Sequence, residues 1–228
     1  MDSIPDDPDT LARMQGRHVI SSRDFDAPLL RQLMRLAARY ELGELKGTHP
    51  MRCKVLSNLF LDRSHCTGRL SFNAAWLRLG GSLLDFESTV EQIMSRRYAP
   101  AEIAERCNSF ADAAVFRTGD SETFREILPR LRVPVINAGD GIGEHPTHAM
   151  ADLYALAKWR PALLQEDPPA DQRLTIALFK PEAMVLSPEM QNEEAAHLLN
   201  DSPHNGYFAQ ARGAVYVRMA VFASIAGE

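Results

Sequence analysis

Through residues 16–160 the chain alternates between short apolar runs of strand length and amphipathic runs of helix length. A strand followed each time by a helix does not return through a tight hairpin. It comes back parallel, with the helices laid over both faces of the sheet. The strands are read as Lys54–Phe60, Ser82–Phe86, Ala113–Phe116 with Arg117 at its end, and Val133–Asn137. A helix begins near Ala27, with Asp24 as its cap and Pro28 in its first turn. Leu29, Leu30, Leu33, Met34, Leu36 and Ala37 recur along it at helical spacing. Further helices are expected over Leu70–Leu79, ending at Gly80-Gly81, and over Ala101–Phe110, Glu122–Leu131 and Thr147–Trp159. The fold class is therefore α/β, a parallel sheet flanked by helices.

Around this unit the pattern thins. Residues 1–15 read as a loose acidic tail, and Pro161–Asp171 as a proline-rich linker. Residues 161–210 hold only a strand over Leu174–Phe179, a brief one over Ala183–Leu186 and a helical stretch over Glu193–Leu199. Residues 211–228 carry an apolar helix, Tyr216–Ile225, expected to pack back on the main domain. The net charge of −5 argues against a nucleic-acid binder, which needs a basic face. No apolar run approaches the roughly 20 residues of a membrane span, and the N-terminus lacks a signal-peptide core. Three cysteines without C-x-x-C spacing do not make a disulfide framework, so a cytoplasmic location is expected. Cys53 and Cys107 read as small buried apolar residues, and Trp76 and Trp159 as core. His18, His49, His197 and His204 read as surface or capping groups.

Four separated segments resemble one family, in its order. PVINAGDGIGEHPTHAMADLYAL (134–156) is similar to the aspartate carbamoyltransferase segment around H-P-T-Q. GRHVISSRDFDAPLLRQLMRLA (16–37) resembles the family's opening helix, RLSFNAAWLRLGG (69–81) the helix after its S-T-R-T-R phosphate loop, and SPHNGYFAQARGAVYVRMAVF (202–222) its closing segment. The resemblance implies a carbamoyl-phosphate-binding domain at 16–160, a much reduced amino-acid-binding domain at 161–210, and a homotrimer with sites between subunits. It implies no metal and no organic cofactor.

Carbamoyl phosphate is a dianion with a reactive carbonyl, and it needs a helix N-terminus, cations and donors aimed at the carbonyl. Counting back from RLSF, His65, Cys66, Thr67 and Gly68 stand where S-T-R-T is expected. Arg69 survives, whereas Thr67 occupies the phosphate-binding arginine's place. The neighbour-loop motif S-x-x-K-G-E becomes Ser95-Arg96-Arg97-Tyr98. Arg117 falls where the family has an arginine on the carbamoyl group, His145-Pro146-Thr147 keep H-P-T, and His148 replaces the glutamine. Ligand contact is thus expected from His145, Arg117 and His148, with Thr67, Arg69, Arg96, Arg97 and Thr147 beside them. His65 and Cys66 could supply a base and a nucleophile, or with the other histidines a zinc site, or fill space in a drifted turn. Gly139, Gly141 and Gly143 read as turn residues, since G-D-G-I-G lacks dinucleotide spacing.

Two functions follow as expectations. One is an enzyme repurposed from ordinary aspartate carbamoylation to another small anionic or carbamoyl-like substrate, residual transfer to an unusual acceptor included. The other is an inactive homologue acting as an oligomeric scaffold or as the partner subunit of another protein.

Overall fold

The structure is a computed structural model, and it describes residues 6–61, 66–85, 99–165 and 207–227. In chain order its elements are α1 (Pro8–Ala12), α2 (Ala27–Leu42), β1 (Val55–Phe60), α3 (Cys66–Arg78), β2 (Ser82–Asp85), α4 (Pro100–Phe110), β3 (Ala113–Thr118), α5 (Ser121–Ile127), β4 (Val135–Asp140), α6 (Pro146–Trp159) and α7 (Tyr207–Ala226). The four strands form one parallel sheet in the order β2-β1-β3-β4. The N-terminal segment extends it beyond β4, where the Val19 amide donates to Val135 O (2.7 Å) and Val19 O accepts from Asn137 N (2.8 Å). From β1 the chain winds outward to β2, then returns to β3 and winds the other way to β4. The order reverses between β1 and β3, and in such sheets a crevice opens there, beyond the strands' C-terminal ends.

The strands are apolar on both faces because both are covered. Leu56, Phe60, Val115 and Ile136 pack with α2, α3, α6 and α7, around Leu33, Trp76, Tyr154 and Phe222. The alternate residues Leu59, Ala114, Phe116 and Val135 pack with Ile103, Cys107, Phe124 and Ile127 of α4 and α5. α7 is apolar nearly all round because it lies against α2, α3 and α6 together.

Several element boundaries differ from expectation. α2 is capped by Asp26, which accepts from Leu29 N at 2.9 Å, whereas Asp24 closes a capping box with Ser21 on the preceding 3-10 turn. α3 begins at Cys66 rather than Leu70, so Cys66, Thr67 and Gly68 belong to its first turn. The helix expected to reach Leu131 passes into a 3-10 turn after Ile127, at Pro129. β4 runs to Asp140, and α7 starts well before Tyr216. Within the segment read as a tail, α1 is capped by Asp7 and tied to α2 by an Asp6–Arg35 ion pair of 2.7 Å.

Trp159 is 64% exposed and lies under the Arg160 guanidinium, so it is not core; Trp76 is. Cys107 is buried, whereas Cys53 is exposed, in a left-handed conformation at φ 64°. His18 accepts from Val135 N at 3.1 Å, and burial lowers its pKa. The strands and helix expected between 174 and 199, and His197 and His204, lie outside the described residues. No helix among those described is long and apolar enough to cross a membrane.

Candidate active site

The C-terminal ends of β3 and β4 and the start of α6 enclose a cleft of about 580 Å³. Its wall includes Arg117, Thr118, Gly139, Glu144, His145, His148 and Asp152. Arg117 leaves β3 and donates from Nη1 to Ala138 O (2.7 Å) on β4, which lays its side chain along the cleft floor. Gly139 makes this possible. At φ 117° its backbone is one that residues with a Cβ rarely adopt, and a Cβ there would sit 2.7 Å from Arg117 Nη1, so the guanidinium would have to shift. Gly141 is held for a similar reason: its φ is 81° and a Cβ would fall 2.5 Å from Gly119 O. Gly141 and Gly143 lie in the turn, as their spacing suggested, whereas Gly139 falls within the end of β4.

The turn is pinned from within and from outside. Asp140 Oδ1 accepts from Glu144 N (2.6 Å), and Asp140 O accepts from Ser121 Oγ (2.6 Å). Glu144 then reaches back to the N-terminal segment and accepts from Ser21 Oγ (2.8 Å), Ser22 N (2.7 Å) and Ser22 Oγ (2.6 Å). The Ser22 hydroxyl, the Ser22 amide and the Ser21 hydroxyl hold its carboxyl below the usual glutamate range. Sequence reading passed over Glu144, although it directly precedes H-P-T. Its partners lie more than 120 residues away, and nothing local announces them.

His145 takes the N-cap position of α6 and Pro146 the first helical position. The His145 ring lies parallel to Phe72 of α3, with centroids 6.3 Å apart, and 5.4 Å from the His148 ring. His148 is half-exposed, with Asp152 one helical turn on and Gln210 of α7 beside both. Three expected residues, Arg117, His145 and His148, therefore meet in one cleft. Thr147 does not line it: the residue is fully buried and its hydroxyl has no hydrogen-bond partner among the described residues. Arg69 is partly buried in α3 and is not part of this wall. Cys66 and Thr67 open α3. His65, Arg96 and Arg97 lie outside the described residues. Among the described residues no group of three His, Cys, Asp or Glu side chains could hold a metal.

A second cation stands behind α3. Arg218 of α7 is 5% exposed, lies 4.2 Å from the centre of the Phe72 ring and donates from Nη1 to Ser71 Oγ. Ser71 Oγ in turn donates to Gly68 O (2.8 Å), in the first turn of α3. Burial pulls the Arg218 pKa down to about 9, which leaves it charged at neutral pH. It braces the helix that begins at the crevice, and its contact with Phe72 also bears on the ring beside His145.

Residues 17–158 match the family described as aspartate/ornithine carbamoyltransferase, carbamoyl-P binding domain. The chain is 37% identical over 144 residues to the aspartate carbamoyltransferase catalytic subunit of Methanocella arvoryzae, covering 63% of this chain and 46% of that protein. It is 36% identical over 146 residues to the catalytic subunit of Dichelobacter nodosus, covering 62% and 41%. The matched region thus spans less than half of either relative. A putative aspartate carbamoyltransferase from Trypanosoma cruzi superposes with a TM-score of 0.77 at 20% identity, covering 94% of this chain and 98% of that one. The T. cruzi aspartate transcarbamoylase in complex with carbamoyl phosphate and aspartate also superposes with a TM-score of 0.77 at 20% identity, covering 98% and 99%. With the parallel sheet, the crevice and the H-P-T turn in place, this chain belongs to the aspartate/ornithine carbamoyltransferase carbamoyl-phosphate-binding family.

Proposed function

We propose that this protein is a divergent aspartate carbamoyltransferase-like enzyme. Its cleft binds a small anionic or carbamoyl-like ligand and promotes a group transfer other than ordinary aspartate carbamoylation. The observation that carries this reading is the meeting of Arg117, His145 and His148 in one cleft beyond the sheet's C-terminal edge. Arg117 supplies fixed positive charge, and the imidazoles supply hydrogen bonds to a developing oxyanion. A T. cruzi relative of the same fold holds carbamoyl phosphate and aspartate, which supports a ligand of this size and charge. Thr67 stands in the place of the family's phosphate-binding arginine, and that argues for altered donor binding. A homotrimer with sites between subunits belongs to the same reading.

The test is calorimetric titration of the full chain with carbamoyl phosphate and, separately, inorganic phosphate. Binding is expected, with Arg117→Ala weakening it about 10-fold or more. No binding of either anion at millimolar concentration overturns the reading in favour of an oligomeric scaffold or partner subunit.

A further inference from the structure

His148, Asp152 and Gln210 form a cluster on the cleft wall that joins α6 to α7. Gln210 Nε2 lies 2.9 Å from Asp152 Oδ1 and 3.4 Å from His148 Nε2. Asp152 Oδ2 is 3.9 Å from that same ring nitrogen, too far for a hydrogen bond. An amide nitrogen has two hydrogens to donate and no lone pair to offer. Turning the amide over would set its oxygen 2.9 Å from a carboxylate oxygen, acceptor against acceptor, so the carboxylate fixes which way the amide points. One Gln210 N–H then goes to Asp152 and the other meets His148 Nε2. A nitrogen that receives an N–H must present its lone pair. In the neutral ring the proton therefore sits on Nδ1, which has no hydrogen-bond partner among the described residues.

We infer that Gln210 and Asp152 lock His148 as the Nδ1–H tautomer, so that it meets a ligand as a hydrogen-bond donor and not as a base. Together with Arg117, which only donates, it favours a group made of acceptors alone, such as a carboxylate or a phosphoryl group. The cleft's two carboxylates do not contradict this. Glu144 is occupied by Ser21 and Ser22, and Asp152 by Gln210. The inference rests on the anion-binding reading for its ligand, but the tautomer is a property of the unliganded protein.

The experiment is long-range proton–nitrogen correlation on the full chain labelled with 15N-histidine, at a pH where the ring is neutral. The signal is assigned by its loss in His148→Ala. The expected result is a majority Nδ1–H form. Gln210→Leu should move the majority to Nε2–H, the form a neutral histidine ring favours once nothing donates to Nε2. Asp152→Asn, which frees the amide to turn, should move it in the same direction. A majority of Nε2–H in the unmodified protein overturns the lock, as does an unchanged tautomer in both variants. Inorganic phosphate is then added. A change at Nδ1 supports the donor role, whereas calorimetric binding of phosphate with no change at His148 overturns it. Absence of any phosphate binding overturns the anion reading, while the tautomer measurement still decides the lock.

Discussion

The starts of α6 and α3 are supported in different ways. In chain order α6 comes after β4 and α3 after β1, both strands of the parallel sheet. The turn into α6 keeps the family's letters through H-P-T. It is held by Gly139 and Gly141 at positive φ, by Asp140 on the Glu144 amide, and by Glu144 on two serines. The opening of α3 is braced from behind, by Arg218 on Ser71 and Phe72. A turn set by glycines at positive φ and by interlocking bonds strains its backbone when one of those glycines is replaced. A helix start braced from behind can exchange a first-turn side chain without straining its backbone.

Breaking the first turn should have the largest effect. Gly139→Val forces a side chain into Arg117 and a left-handed backbone, and should cost about 3 kcal/mol in urea unfolding. Stability close to the unmodified protein would mean that the turn is not rigid. Adding charge at the start of α3 comes next: on the proposed anion-binding reading, Thr67→Arg should tighten inorganic phosphate about 10-fold, or ~1.4 kcal/mol, by calorimetry. Unchanged affinity would place residue 67 away from the bound anion.

Glu144→Gln replaces a charged acceptor with a weaker one and should cost about 1 kcal/mol at pH 7. The sign follows from its lowered pKa. The carboxylate's contribution is complete above the ordinary glutamate pKa of about 4.3 and is lost as pH falls through the lower, folded value. The stability gap between the two proteins should therefore narrow in acid, and a gap constant down to pH 3 would assign the effect to packing. The smallest effect lies at the sheet's opposite end. Cys53→Gly relieves a left-handed residue and should stabilise by about 0.5 kcal/mol without changing phosphate affinity. A change in affinity would mean that the two ends of the sheet are coupled.

The parallel sheet was legible because its signal is local. Apolar runs such as VLSNLF and helical spacing such as that of Leu29, Leu33 and Leu36 are written within a few residues. Arg117, at the end of β3, and His145 and His148, in the H-P-T segment, were singled out from the sequence, and the structure places all three on the wall of one cleft. What escaped is what depends on distant partners. Glu144 acts through Ser21 and Ser22, Gln210 through His148 and Asp152, and Arg218 through Ser71 and Phe72. Trp159 misled because a large apolar residue on a helix reads as core wherever the helix ends, and here the helix ends in solvent.

The sequence by itself determined the α/β class, the family and the glycine-rich approach to α6, because each is a matter of residue identity and short-range spacing. The tertiary structure decided which nitrogen of His148 is engaged, which carboxylates are already occupied, and that a buried arginine braces α3. Those outcomes turn on hydrogen-bond geometry of a few tenths of an ångström between segments up to 147 residues apart, a distance over which spacing along the chain carries no directional information.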